Sequence, residues 1–402
     1  MKTVTKKIGS IALLAVLLAA PAATFGTDAV IKSTAVAPRV PGKERIAKIQ
    51  LNEITAITAQ KGWLQEELAK VGAKLEMVNI SQISGVSGAE ASLLDRGDLH
   101  ITVRMAYPAL QHRANGLDAV VVWMGGNPHP RRATTIVLAD SNIKTVADLK
   151  GKTFGSSLIG CPYYAGVEAF KAQGATVDTE FQKGDIRFVN ITGAAAVSAF
   201  LSGRIDSYGT HPATASIVPL ITQNQVREIT TAVPDGIYVT AGGRQMYFAM
   251  RQWANENPDI VKAFLIAWDR TVRWLNSDNG AHWDEGAQIA AREIREPKSV
   301  ALYDIHDEST IDWSWGVTDY NDAVDSIKKF QSWNIANKDP FYTKHHLNDK
   351  EIEAFVDKRF FKGGEYFVDS SEHPEKPATQ GKADLPADTK SGVQVAQASI
   401  AK

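Results

Sequence analysis

The stretch "GDLHITVRMAYPALQHRANGLDAVVVWMG", residues 97–125, decides the fold. Within it "DLHITV" has the length and apolar content of a buried strand, "PALQHRANG" reads as a helix, and "DAVVVWMG" is a second strand rich in β-branched residues. A strand, a helix and a strand in so short a span form one crossover unit, which joins parallel strands. Arg104 stands where the first strand should end, a permanently charged side chain at the lip of a buried element.

The same alternation continues on both sides. Upstream, "RIAKIQL" (45–51) alternates like a strand, "QKGWLQEELAKVG" (60–72) places Leu64, Leu68 and Val71 at helical spacing, "AKLEMVNI" (73–80) is a strand, and "GAEASLLDRG" (88–97) is a helix. Downstream, "TVADLKGKTFGSS" (145–157) opens a second set. Its strands are "KTFGS", "DIRFVNI" and "RIDSYG", and its helices are "YYAGVEAFKAQG" and "GAAAVSAFLSG". This order predicts an α/β protein of two lobes, each with a mainly parallel sheet flanked by helices. Lobe 1 is expected over 45–140 and 237–369, the latter with a C-terminal helical extension, and lobe 2 over 141–236. After "IYVTAGGRQMYFAM" (237–250) a long helix carries Val261, Phe264, Leu265, Trp268, Val272 and Leu275 on one stripe, which reads as core. A weak echo links the lobes. Gly97-Asp98-Leu99-His100 precedes Pro108-Ala109, and Gly203-Arg204-Ile205-Asp206 precedes Pro212-Ala213. Both turns end strands at the sheet edge where open α/β folds bind ligands.

At 402 residues the chain is too long for one small core. With 44% hydrophobic and 22% charged residues it has the composition of a soluble globular protein. A formal charge of -1 and the lack of a basic stripe argue against a dedicated nucleic-acid binder, and leave room for a small anionic ligand. Residues 1–26 place Lys2, Lys6 and Lys7 before the apolar run Ile11 to Ala20 and small residues at Ala22 and Ala23, the pattern of a cleaved signal peptide. The run is shorter than the roughly 20 apolar residues of a membrane span, and the absence of a following Cys argues against a lipidated terminus. Residues 27–44 read as a flexible leader and 370–402, polar and poor in large apolar residues, as a disordered tail. Cys161 is the only cysteine, so no intramolecular disulfide forms; it is either a reactive nucleophile or a small buried core residue, and the second is the simpler reading.

Five phrases, "KGWLQEELAKVGAKLEMVNI", "LLDRGDLHIT", "TVADLKGKTFGSS", "FLSGRIDSYGTHPATA" and "ENPDIVKAFLIAWDRTVRWLNSD", run in order through residues 45–280. In that order the chain resembles the periplasmic solute-binding proteins of ABC importers, in the nitrate, sulfonate and taurine group. The resemblance implies a type II-like two-lobed fold with a ligand cleft between the lobes. It also implies a periplasmic receptor, not an enzyme, that needs no cofactor. Its ligand would be a small organic anion, a sulfonate or sulfate ester, and its partners an ABC permease and the ATPase in the membrane. The chain is expected to act as a monomer. It departs from the family in carrying His211 where an aromatic residue often precedes the proline, and in a longer, Trp-rich region 281–370. An aromatic-sulfinate desulfinase resembles the same fold, with a cysteine after the first strand and an arginine after the third. Here "LNEITAIT" offers Asn52 and Glu53 but no Cys, while Arg104 matches the arginine, which suggests capture without cleavage. The alternatives are an enzyme on this fold using Cys161, or a receptor for an aromatic carboxylate or a nitrogenous compound.

Arg104 is the first candidate for holding an oxyanion, because its planar fork donates two parallel hydrogen bonds; the alternative is pairing with Asp98 or Glu53. Ser156 and Ser157 precede a helix opened by Pro162, where capping or anion binding by first-turn N–H groups is expected. Tyr163 is a candidate apolar wall, Thr210 and His211 are candidates from the second lobe, and Asn52 and Glu53 are polar liners. Arg244, after Gly242 and Gly243, marks a close backbone approach or the hinge. His345-His346 and His306-Asp307-Glu308 lack metal-ligand spacing, so no metal is expected.

Overall fold

The computed structural model describes residues 44–369 apart from 81–88, 127–129, 159, 180–182 and 307–315. The expected signal peptide, all but the last residue of the leader, the tail 370–402, and Asp307 and Glu308 lie outside the described residues. Along the chain come β1 (Arg45–Gln50), α1 (Glu53–Gln60), α2 (Trp63–Lys70), β2 (Ala73–Val78), α3 (Glu90–Asp95), β3 (Thr102–Met105), α4 (Ala106–Ala114), β4 (Ala119–Met124) and β5 (Thr134–Leu138). Next are β6 (Thr153–Ser156), α5 (Cys161–Ala172), β7 (Val177–Asp178), β8 (Ile186–Asn190), α6 (Gly193–Leu201), β9 (Ser207–Thr210), α7 (Val218–Thr222) and β10 (Val226–Thr231). Last come β11 (Gln245–Met250), α8 (Arg251–Glu256), α9 (Pro258–Asn276), α10 (Trp283–Ile294), α11 (Lys298–His306), α12 (Tyr320–Ala336) and α13 (Asp349–Phe355).

The strands form two groups. In the first, β1 pairs in parallel with β2, and a parallel bridge from Ile49 to Ile101 joins β1 to the sheet β3-β11-β4, in which β11 runs antiparallel to both neighbours. The second is a six-stranded sheet of order β10-β5-β9-β6-β8-β7, parallel from β9 to β7 and antiparallel where β5 meets β9 and β10. Thr134–Leu138 therefore belongs with the second sheet, although the sequence reading places it before a boundary at 140. Its β-branched run fits either sheet, and only the pairing partners decide. The strand read from Asp98 begins at Thr102, preceded by the single bridge at Ile101. Within 237–250, Tyr238–Gly242 forms one helical turn and β11 starts after it, just past Arg244.

Local chemistry accounts for the helix starts. Asn52 Oδ1 accepts the Thr55 N–H at 2.9 Å and Thr55 Oγ1 accepts the Asn52 N–H at 2.8 Å, a reciprocal cap that stops β1 and opens α1. Gly62, at φ +75°, supplies the left-handed residue that separates α1 from α2. Every residue of the α9 stripe is buried, and Trp268 places its ring 4.3 Å from that of Trp123 on β4.

The Trp-rich segment after 281 is structural. On α10, Gly286 lies so close to Leu275 and Ile57 that a Cβ there would fall 2.7 Å from the Leu275 side chain. Further on, the Val317 N–H donates to the Met124 carbonyl at 2.8 Å, and Val356 bridges Val121, so this segment edges β4. Tyr107 stacks on Tyr164 at 5.6 Å, its hydroxyl donates to Asp339 Oδ2 at 2.9 Å, and the Tyr342 hydroxyl donates to the Tyr107 carbonyl at 2.6 Å. Among the described residues no helix is long and apolar enough to cross a membrane.

Trp268 joins α9 to the first sheet, so Trp268→Ala should cost about 3–5 kcal/mol through lost burial and a residual cavity. The measurement is the free energy of unfolding in urea, read by circular dichroism.

Candidate functional site

A cleft of about 960 Å³ opens where strand ends of both sheets turn into helices. Four such transitions line it: Asn52 and Glu53 where β1 gives way to α1, Arg104 and Met105 at the end of β3 before α4, Ser156, Ser157, Gly160 and Cys161 from β6 to α5, and Thr192 and Gly193 from β8 to α6. Thr210 and His211, after β9, complete the second-sheet side. No side chain caps α4, α5 or α6. Backbone carbonyls take part of the load: the Ala106 N–H of α4 meets the Arg244 carbonyl at 2.9 Å, the Tyr163 N–H of α5 meets the Gly160 carbonyl at 3.0 Å, and Pro108 and Pro162 carry no N–H, so the Cys161 N–H and the first turn of α6 are left as the open backbone donors at the cleft among the described residues.

Of the residues singled out from the sequence, Asn52, Glu53, Arg104, Ser156, Ser157, Thr210 and His211 line this cleft. Two do not. Tyr163 is buried against Phe188, with ring centroids 4.8 Å apart, so it packs the second sheet and its hydroxyl is pushed up to about 12 by burial. Arg244 donates through Nε to the Thr240 carbonyl at 2.9 Å and through Nη1 to the Gly125 carbonyl at 3.0 Å, and so ties the helical turn to the end of β4. The glycines before it serve packing. A Cβ on Gly242 would sit 2.5 Å from Phe330.

Arg104 has a partner that sequence spacing did not suggest. Its Nε and Nη2 donate to the two oxygens of Glu90, each at 2.6 Å, and His112 Nε2 meets Glu90 Oε1 at 2.8 Å. Burial alone would raise the Glu90 pKa. The hydrogen bonds from His112 and Arg104, with the arginine's charge, outweigh it and hold the carboxyl at about 2. Arg104 thus reaches the cleft with its charge already matched.

Arg132 is the second cation of the wall. Its Nη1 donates to Asp304 Oδ1 at 2.8 Å, while its Nε is buried without an acceptor. Its carbonyl takes the His211 Nδ1 hydrogen bond at 2.8 Å, and burial together with the Arg132 charge depresses His211 to about 3. The neutral ring donates from Nδ1 and keeps Nε2 as an acceptor. Glu53 is pushed up to about 7 by burial and by the charge of Asp304, against the pull of Arg132. Glu296 is raised to about 8 by burial and by the charges of Glu53 and Asp304. Cys161 lines the wall but is buried, its thiol is pushed up to about 11, and its Sγ lies 3.1 Å from Met105 Sδ. Such a thiol is a poor nucleophile. Among the described residues no group of three or more His, Cys, Asp or Glu is arranged to hold a metal.

Glu90, His112, Arg132, Gln245 and Glu296 line the cleft without having been singled out. Local sequence carries no signal for them. Arg132 and Asp304 are 172 positions apart, and Glu296 follows a helix far from the βα turns.

Because its folded pKa lies below the ordinary 4.5, Glu90 contributes stability above about pH 4.5 that is lost as the pH falls towards about 2. Glu90→Gln should remove that acid-side slope and cost roughly 1–3 kcal/mol at neutral pH. The lower end is favoured because Arg104 retains 26% side-chain exposure and is partly solvated. Urea unfolding of both proteins across acidic pH measures the difference.

The fold has solved relatives. The alkanesulfonate-binding protein SsuA from Xanthomonas axonopodis pv. citri, bound to MOPS, superposes with a TM-score of 0.60 at 16% identity over 78% of this chain and 98% of its own. The periplasmic aliphatic sulphonate binding protein SsuA from Escherichia coli gives a TM-score of 0.60 at 18% identity, over 74% of this chain and 94% of its own. The desulfurization enzyme DszB matches with a TM-score of 0.51 at 14% identity over 76% of this chain and 96% of its own. At these identities the likeness is one of fold, the periplasmic binding protein fold, which serves both binding and catalysis. No curated protein sequence matches the chain. The sequence model described as NMT1/THI5 like matches residues 55–279, more than half of the chain, and this protein belongs to that family.

Proposed function

We propose that this chain is the extracytoplasmic solute receptor of an ABC importer. It captures a small organic solute with an oxyanion head, a sulfonate or a sulfate ester, and presents it to the permease and its ATPase. The observation that carries the reading is the convergence of the Cys161 N–H at the start of α5 and the uncapped first turn of α6 on one open cleft, beside Ser157 and the partnerless Nε–H of Arg132. Helix N-termini hold oxyanions by fixed N–H groups and need no net charge. Asn52, Glu53, Arg104, Ser156, Ser157, Thr210 and His211 form the remaining wall. Arg104 contributes through the direction of its unused N–H groups more than through net charge, since Glu90 already balances it.

Binding is favoured over turnover because the wall's one thiol is held protonated, and the turn after β1 offers Asn52 and Glu53 in place of a nucleophile. The sheet built on β1 to β4 with β11 and the sheet built on β5 to β10 are the two lobes we assign to closure around the solute. Closure would add contacts from both sides to a ligand first held on one. The sulfonate-binding solved relatives support the ligand class by fold alone.

Saturating a receptor at about one hundred times its dissociation constant stabilises it by about 2.7 kcal/mol. A thermal-shift series of alkanesulfonates and sulfate esters should therefore contain compounds that raise the melting temperature, with Cys161→Ser responding as the parent does. Loss of binding in Cys161→Ser together with release of a sulfur oxyanion by the parent would replace the receptor with an enzyme. A series that leaves the melting temperature unmoved would dismiss the sulfonate class.

A further inference from the structure

The segment from Gly316 to Val356 is fastened to the first lobe at both ends and reaches the second lobe between them. At its start Gly316 bridges Gly125 and the Val317 N–H donates to the Met124 carbonyl at 2.8 Å; at its end Val356 bridges Val121. The loop after α12 is held by the first lobe as well, through the Tyr107 hydroxyl on Asp339 and the Tyr342 hydroxyl on the Tyr107 carbonyl. Gln331 ties that loop to α12, its Nε2 donating to the Leu347 carbonyl and its Oε1 accepting the Leu347 N–H, both at 2.8 Å.

To the second lobe this segment offers one helical face. Phe330 and Trp333 of α12, with Asn337 at its C-terminal end, follow helical spacing, and they meet Tyr164 and Lys171, two turns apart on α5. The Tyr164 ring lies 5.3 Å from Phe330 and 6.5 Å from Trp333, and Lys171 Nζ donates to Asn337 Oδ1 at 2.9 Å. Tyr164 also lies 5.4 Å from Tyr238, on the helical turn where the chain passes back from the second lobe to the first. Glu168 of α5 accepts the Ile237 and Tyr238 N–H groups of that turn at 2.5 and 3.1 Å, and Arg244 ties the turn to Gly125, where the chain first leaves for the second lobe.

The seam between α5 and α12 runs away from the mouth of the cleft. Cys161 and Pro162 bring the start of α5 to the cleft, whereas Lys171 stands about 15 Å further along its axis. Among the described residues, none from Gly316 to Val356 lines the cleft. Two lobes that turn about a pair of chain crossings close on one side by parting on the other. Closure therefore has to part the seam, at the cost of the ring contacts and the Lys171 hydrogen bond. Water reaching the Tyr238 hydroxyl, which is buried at the edge of the seam and meets no partner, offsets some of that cost.

We infer that the seam between α5 and α12 is a latch that holds the cleft open in the absence of solute, so that affinity is set in part by residues that never touch the solute. The inference rests on the receptor reading above and adds to it the element that opposes closure.

Two measurements on the full chain test it. Nitroxides on Gln111→Cys and Thr192→Cys, in a Cys161→Ser background, span the mouth from opposite lobes and report the ligand-free distance by double electron–electron resonance. Isothermal titration calorimetry of the unlabelled protein reports propanesulfonate affinity. Lys171→Met and Trp333→Ala, prepared separately so that one misfolded variant does not decide the matter, should each shift the ligand-free distances shorter and raise affinity about three- to tenfold. That is the range one intramolecular hydrogen bond is worth, and the competent fraction rises by the same factor. Lys328→Met, which removes ion pairs to Asp349 and Glu353 inside the segment and off the seam, should change neither reading.

Ligand-free distances that stay as in the parent or lengthen in the seam variants would overturn the latch and leave the receptor standing, as would shorter distances with unchanged affinity. If propanesulfonate binds to no form of the protein, the sulfonate reading falls, and the ligand-free distances alone decide the latch.

Discussion

A helix begins with N–H groups that have no carbonyl to meet, and a parallel strand ends where its crossover helix begins. These two constraints together place the cleft. The turns after β1, β3, β6 and β8 each deliver a helix start to the edge of a sheet, and they bring them to one opening. At α1 the orphan donors are partly met by Asn52, whereas at α4, α5 and α6 no side chain meets them. The Arg244 and Gly160 carbonyls, with Pro108 and Pro162, account for most of the first turns of α4 and α5, which leaves the Cys161 N–H and the start of α6 as the donors open to the cleft among the described residues.

Charge is laid over that framework with little surplus of positive sign. The bidentate Arg104–Glu90 pair and the Arg132–Asp304 pair each close on themselves, since leaving an arginine alone in a half-buried wall would be expensive. His211 is kept neutral by burial and by Arg132, and Cys161 is kept protonated by burial, so neither brings charge or nucleophilicity to the ligand. What remains uncompensated is acidic. In the receptor reading proposed above, an anion entering such a cleft would be held by oriented donors and not by surplus positive charge.

The rest of the molecule serves to hold these turns in place. The α9 stripe and Trp123 seat the first sheet, and the segment after residue 281 is part of the scaffold, edging β4 and packing α10 on α1. That segment also supplies Glu296 and Asp304 to the region of the cleft, so structural and polar roles share one stretch of chain.

The strand and helix periodicities, the caps and the Gly and Pro positions are local properties. They determined the α/β alternation, the α9 core stripe, and the presence of Asn52, Arg104, Ser157 and His211 at strand ends. The identity of a neighbour is not local. Which sheet takes Thr134–Leu138, that Arg104 meets Glu90 and not Asp98 or Glu53, that Tyr163 and Arg244 turn away from the cleft, and that Glu296 and Gln245 face it were decided only by the tertiary structure. Pairing, burial and the electrostatic field at a side chain depend on what the rest of the chain brings beside it, and a single sequence carries no distance between residues far apart along it.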